Sequence, residues 1–233
     1  MKPISFWRRL LDLISPRVCV MCGRRLAPTE EAICNKCYFH LPRTEYWLHA
    51  YDNEMAKKFW HLIPIERAAA FFFYEPQSEV ANIIYQLKYK DHPEIGFVMG
   101  RMMAAEMKAS DFFDGIDAIV PIPLTKKRYR QRGYNQSEEI AKGISAGTGL
   151  PVYTDVVRRV RFKDSQTHLF RWGRLENVEN VFQLVEGAPI ADKHLLLIDD
   201  VVTTGSTMIA CAKELTKATG VKMSVLSLAQ TKR

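Results

Sequence analysis

The 233-residue chain has room for one α/β domain with an appendage, or for two small domains. Hydrophobic residues make up 47% and charged residues 25%, ordinary for a globular protein, and the richest apolar run, Ala68 to Tyr74, is far too short to span a membrane. The net charge of +7 gathers in two clusters, Lys126–Arg132 and Arg158–Arg174, which suit a polyanion without separating nucleic acid from a pyrophosphate-bearing ligand.

Residues 2–14 read as a short amphipathic helix, with Phe6, Leu10, Leu13 and Ile14 on neighbouring turns. Arg8, Arg9 and Asp12 interrupt any signal-peptide core, so a cytoplasmic location is expected. Trp7 beside the arginines could anchor to a membrane surface, although packing on the protein itself suits so short a helix better. Next come Cys19-x-x-Cys22 and Cys34-x-x-Cys37, two pairs spaced for a closed four-sulfur zinc site. Disulfides are the alternative, but they persist mainly in oxidising compartments. Four thiolates leave no open position, so the expected role of Zn2+ is structural. Cys211 stands apart, in a helical apolar pattern that suits a buried inert thiol.

From Tyr46 to Glu66 no period is readable. Ala68–Tyr74 reads as a strand, and Val80 to Leu87 and Ile95 to Met103 as helices. Asp117–Ile122 is an expected buried strand, ended by the prolines of Pro121-Ile-Pro123-Leu. The basic stretch Lys126 to Gln136 then reads as a loop before a helix from about Ser137 to Ala146. Val152–Val157 is a further strand candidate, and Arg158 to Asn180, weakly periodic and polar, a long functional loop. Strands at His194–Ile198 and Val221–Ala229 enclose a helix after Gly205. Such alternation implies an α/β fold, a mostly parallel sheet with helices on both faces, plus a small N-terminal zinc ribbon. The expected division is residues 1–45 for the N-terminal helix and ribbon, 46–67 for a connector or hood, and 68–233 for the main domain.

The stretch Leu195 to Thr207, LLLIDDVVTTGST, organises the rest. A strand, a loop and a helix in that order aim free backbone N–H groups and a positive dipole end at one point, which suits a phosphate. Asp199 and Asp200 would be poor partners for more anion. They suit vicinal sugar hydroxyls, or a hydrated divalent cation carried by the ligand. The segment resembles the phosphoribosyl-pyrophosphate (PRPP) motif of type I phosphoribosyltransferases. By that resemblance Asp199 and Asp200 hold the ribose hydroxyls, while Val202, Thr203, Thr204, Gly205, Ser206 and Thr207 bind the 5′-phosphate, with Mg2+ accompanying PRPP.

The four-cysteine ribbon, the Pro121-to-Gln136 stretch and Arg174-Leu-Glu-Asn177-Val with Phe182, taken with the acidic pair, resemble the ComF family of competence proteins. That resemblance implies a phosphoribosyltransferase-like domain and points to Arg132, Asn135 and Gln136 in the first basic stretch. In the second it points to Arg159, Gln166, Arg174 and Asn177. These residues would face pyrophosphate, where guanidinium groups pair well with diphosphate oxygens. The implied function is transfer or recognition of a 5-phosphoribosyl group, linked to DNA uptake. The alternative is a non-catalytic protein that handles single-stranded DNA, or an adaptor for a DNA-translocating partner. No general base for an acceptor is identifiable.

Overall fold

In the computed structural model of the protein, which describes residues 16–160 and 181–232, the apolar runs expected to be strands pair in one parallel sheet. In chain order the elements are helix α1 (Asn35–Phe39), strand β1 (Arg67–Tyr74), helices α2 (Ala81–Tyr89) and α3 (Pro93–Met107), and strand β2 (Ala118–Pro121). Helices α4 (Lys126–Arg132) and α5 (Gln136–Thr148), short strands β3 (Val157–Arg159) and β4 (Phe182–Leu184), strand β5 (His194–Val202), helix α6 (Ser206–Leu215) and strand β6 (Lys222–Thr231) follow. The expected helix at residues 2–14 lies outside the described residues.

The sheet order is β1-β6-β5-β2, with every neighbouring pair parallel. Central strand β5 is buried on both faces, as its unbroken Leu195–Ile198 run requires. Alternate residues feed two cores. Leu196 and Ile198 join Ile83, Met99 and Ile140 of α2, α3 and α5, whereas Leu195 and Leu197 join Met208 and Cys211 of α6. Helices therefore cover both faces, and Cys211 is the buried thiol its apolar pattern implied. Backbone groups of residues 42–44 occupy the outer edge of β1, through Phe73 N–H to Pro42 O at 2.8 Å and Thr44 N–H to Phe71 O at 3.1 Å. Pro151 and Tyr153 do the same for β2. Both sheet edges are thus blocked against further pairing.

Helices α3 and α5 cross with their backbones touching at Gly100 and Gly143. A Cβ on either would run into a carbonyl oxygen of the opposite helix, Ile140 or Phe97. This close approach fixes the amino end of α5, which carries Asn135, Gln136 and Ser137 to the end of β5. The cysteine segment shares the α2–α3–α5 core, with Cys19, Cys34, Cys37 and Leu41 buried in the same cluster as Phe71. A bidentate Arg43–Glu106 pair and the Arg101–Glu31 pair at 2.7 Å tie it to α3.

Two expectations need correction. Lys126–Arg132 is helix, not loop: Thr125 accepts a hydrogen bond from the Arg128 N–H at 3.2 Å, and Gly133 closes the helix. No residue of α4 is buried, so it leaves no apolar period to read. Val152–Val157 is not a strand. Val152 makes an isolated bridge to Ile119, a bend intervenes, and Val157 opens a separate antiparallel ribbon with β4. That ribbon forms the two stems of the expected functional loop, whose middle lies outside the described residues. Among the described residues no helix is long and apolar enough to cross a membrane.

Candidate functional site

Strand β5 does not end at Ile198. Strand β6 continues to pair with it, Asp199 opposite Ser227 and Val202 opposite Gln230, so both acids lie within the last residues of the strand. Each carboxylate has its own partners. Asp199 Oδ1 accepts the Ser137 hydroxyl at 3.0 Å and the Asp200 N–H at 2.9 Å. Asp200, only 8% exposed, pairs with Lys88 Nζ at 3.1 Å. Asp199 keeps some surface toward solvent while its carboxyl lies deep among protein atoms. That desolvation, followed by the neighbouring Asp200 charge, pushes its pKa up to about 7 against the help of its hydrogen bonds and Lys88.

Beyond Val202 the chain turns into α6 through Gly205, whose φ of +84° is a left-handed conformation that other residues resist. Thr203, Thr204 and Ser206 are exposed and Thr207 is half-buried, with the Thr204 and Ser206 hydroxyls 2.8 Å apart. The first-turn N–H groups of α6 open toward this loop, as in an anion cradle. Phe59 braces it from below, its ring 3.3 Å from where a Gly205 Cβ would stand, and Lys58 Nζ donates to Thr203 O at 2.9 Å. The side chain of Val202 packs in the core beside Met208, so only its backbone can face the loop.

The first basic stretch divides by role. Arg132, at the end of α4, donates to Gln136 Oε1 at 2.6 Å and lies over the Tyr89 ring at 5.6 Å. Asn135 is the cap of α5: its side chain accepts from Ser137 N–H and donates to Ile122 O, leaving little of its amide for a ligand. Gln136 is 1% exposed, yet its Nε2 has no hydrogen-bond partner among the described residues. A buried donor left unpaired in the protein is a group a ligand anion can satisfy. Arg159, on β3, lies over the Phe182 ring at 5.1 Å. Burial and nearby Arg128 lower its pKa, and the Asp199 charge opposes them. Gln166, Arg174 and Asn177 lie outside the described residues.

Two basic grooves flank α4. One is lined by Lys88, Lys90, Arg128 and Arg132, the other by Lys126, Arg130, Arg158 and Arg159. Lys88, Ser137 and Lys58 were not singled out from the sequence as site residues. Lys88 ends a helix and Ser137 follows a cap, and no local spacing announces that either reaches an acid more than sixty positions away.

The Sγ atoms of Cys19, Cys22, Cys34 and Cys37 all lie within 4.8 Å of one another, and none is in a disulfide. Sulfurs bound to one zinc at about 2.3 Å in a tetrahedron stand about 3.8 Å apart. Cys22 and Cys34 have their sulfurs at 3.8 Å. The Arg24 backbone N–H draws the Cys22 thiol down to about 7, toward the thiolate a metal requires, whereas burial raises the thiols of Cys19 and Cys37 in the empty cluster. The set is closed and can hold a metal ion.

Fold and site together define an α/β protein with an exposed hydroxyl loop at a helix amino end and an acidic pair at the carboxyl end of a parallel sheet. No family profile matches the chain. Over 171 residues it is 30% identical to DNA utilization protein YhgH of Salmonella typhi, covering 72% of this chain and 74% of that protein. The protein of that name from Escherichia coli strain K12 is 28% identical over 217 residues, covering 92% and 90%. Competence protein F of Haemophilus influenzae is 34% identical over 115 residues, covering 49% and 50%. The chain belongs to the ComF family, which these proteins share. Among solved structures, glutamine PRPP amidotransferase from B. subtilis is 18% identical at a TM-score of 0.38, covering 60% of this chain and 30% of that one. A hypoxanthine phosphoribosyltransferase from Staphylococcus aureus is 17% identical at 0.34, covering 67% and 73%. The fold assignment rests on the strand order itself.

The raised Asp199 pKa makes a prediction of definite sign. The folded chain holds this proton to about 7, whereas an unfolded carboxyl releases it near 3.8. Between those values the folded state binds more protons, so its stability falls as pH rises and is lowest above the folded pKa. Asp199→Asn keeps an acceptor for Ser137 and the Asp200 N–H but cannot ionise. It should melt several degrees above the parent at about pH 8 and level with it at about pH 4. An equal shift at both would contradict the assignment.

Proposed function

We propose that the acidic pair and the Thr203–Thr207 loop bind PRPP, with the loop on the 5′-phosphate and Asp199 and Asp200 on the ribose hydroxyls. The observation that carries this reading is that two carboxylates at the end of β5 adjoin an exposed hydroxyl loop at a helix amino end. Hydroxyls donate and carboxylates only accept, so a sugar flanked by a phosphate is the complementary shape. Arg132, Gln136 and Arg159, with Lys88, would face the diphosphate, where the unpaired Gln136 Nε2 finds an acceptor. Mg2+ carried with the diphosphate would neutralise part of its charge, and the hard oxygen donors of the site fit such a cation. The four thiolates would hold a structural zinc, so the purified chain should carry about one zinc per molecule.

Calorimetry with PRPP and Mg2+ tests the reading. The intact protein should bind, and Asp199→Asn with Asp200→Asn should weaken binding at least about tenfold, the loss of more than one charge-assisted hydrogen bond. Absence of binding by the intact protein, or equal affinity of the double variant, would end it.

A second reading is favoured by one surface. Tyr85 and Tyr89 are 49% and 65% exposed with ring centroids 5.4 Å apart, and Lys90 and Arg132 lie over their faces. Stacking rings beside a basic groove suit single-stranded nucleic acid. The relatives named for DNA utilization and competence make DNA the strand to try. Affinity for an oligothymidine should fall steeply from low to physiological salt, and Tyr85→Ala with Tyr89→Ala should weaken it about tenfold. Binding indifferent to both changes would remove this surface from consideration.

A further inference from the structure

Helix α2 puts Tyr85, Lys88 and Tyr89 on one face, because residues three and four apart are neighbours on a helix. That face is the wall of two clefts. In one, Lys88 and Tyr89 stand with Tyr85, Val201 and Thr203, so the exposed rings share a hollow with the start of the hydroxyl loop. In the other, Lys88 and Tyr89 stand with Lys90, Arg128 and Arg132. PRPP and a single strand would therefore not use separate places. Thr203 and Lys88 would serve the one, Tyr85 and Tyr89 the other, and all four line a single cleft.

Charge is shared as closely as space. Lys88 is paired with Asp200 at 3.1 Å, whereas Lys90, Arg128 and Arg132 have no carboxylate partner among the described residues. Asp91 is the only acid in the lining of the second cleft. The Arg132 guanidinium donates to the neutral Gln136 Oε1 at 2.6 Å and lies over the Tyr89 ring at 5.6 Å. Lys90 lies over the Tyr85 ring at 5.8 Å. The groups that would neutralise a diphosphate are thus the ones that flank the stacking rings. A guanidinium forked onto diphosphate oxygens is no longer available to a strand's phosphates. Two polyanions in one groove also repel each other at short range.

We propose that PRPP with Mg2+ and single-stranded DNA bind at this face of α2 to the exclusion of each other. The pentose phosphate then sets how much of the chain is free to hold a strand. The proposal rests on both ligands assigned above, PRPP to the acidic pair and loop, and the strand to the tyrosines. Exclusion of this kind is reciprocal, since the factor by which one ligand weakens the other is the factor by which it is itself weakened. It requires no movement of the fold and no covalent step, only that two anions compete for the same cations and the same hollow. The chain would carry a strand when PRPP is scarce and release it when PRPP is plentiful.

The test is fluorescence anisotropy of a labelled oligothymidine on the full metal-loaded chain, titrated with PRPP at constant Mg2+ and constant ionic strength. The strand's apparent Kd should rise in proportion to PRPP without a plateau, about elevenfold when PRPP stands at about ten times its own Kd. Calorimetry in the other direction should show the strand raising the apparent Kd of PRPP by the same rule. Tyr85→Ala with Tyr89→Ala, both at exposed positions, should weaken the strand and leave the affinity for PRPP as it was. A strand Kd that ignores PRPP, or that climbs only to a plateau with both ligands bound, would overturn the exclusion and leave both sites standing. A chain that binds PRPP but no strand would overturn it together with the role given to the tyrosines. A chain that binds the strand but not PRPP would overturn it together with the role given to the acidic pair.

Discussion

Two carboxylates one residue apart at the end of a buried strand repel each other and lose water, and most of the surrounding structure answers that problem. β6 extends its pairing so that the backbone of Asp199 stays fixed. Ser137 and the Asp200 N–H supply hydrogen bonds to one acid, and Lys88 supplies a charge to the other. The compensation is incomplete, as the elevated Asp199 pKa records. Acids held in such a state are ready to take hydrogen bonds from an incoming ligand, at some cost to the stability of the empty protein.

The supporting elements follow from that centre. Ser137 reaches Asp199 only because α5 is seated against α3 at Gly100 and Gly143, with no side chain between the backbones. Lys88 reaches Asp200 from the last turn of α2, whose Asn82 donates to Met21 O in the cysteine segment at 3.0 Å. The cysteine cluster is therefore not a remote ornament. It buttresses α2 and α3 through a shared apolar core, and ordering it with a metal would stiffen the helix that carries Lys88. On the opposite face, Phe59 and Lys58 hold the Gly205 turn.

How much of this could be read beforehand depended on range. The acids, the hydroxyl loop and the two cysteine pairs are local patterns, each meaningful within a dozen residues, and the structure keeps each one together. Buried strands announce themselves by composition, as at Leu195–Ile198. By contrast α4 is all charge and amide and is held by its cap and its closing glycine, so no hydrophobic period exists to find. The stretch from Tyr46 to Glu66 shows no period because its only regular pieces are the short 3-10 turns Tyr46–His49 and Ala56–Lys58, yet Met55 and Phe59 are wholly buried against the sheet. Asn53 organises this segment, its amide donating to Ala68 O at 2.8 Å and accepting from the Met55 and Ala56 N–H groups. Contacts such as Lys88–Asp200 carry no sequence signature, since only the fold brings the two together. Asn135 shows the opposite limit: its motif marked it for a ligand, whereas both ends of its amide serve the chain.

A crystal structure of the intact chain grown with PRPP and Mg2+ tests the central claim most directly. The account places the 5′-phosphate among the N–H and hydroxyl groups of Thr203–Thr207, with both ribose hydroxyls within hydrogen-bond distance of the Asp199 and Asp200 carboxylates. A pentose phosphate bound elsewhere, or seated with its hydroxyls turned away from those carboxylates, would contradict it.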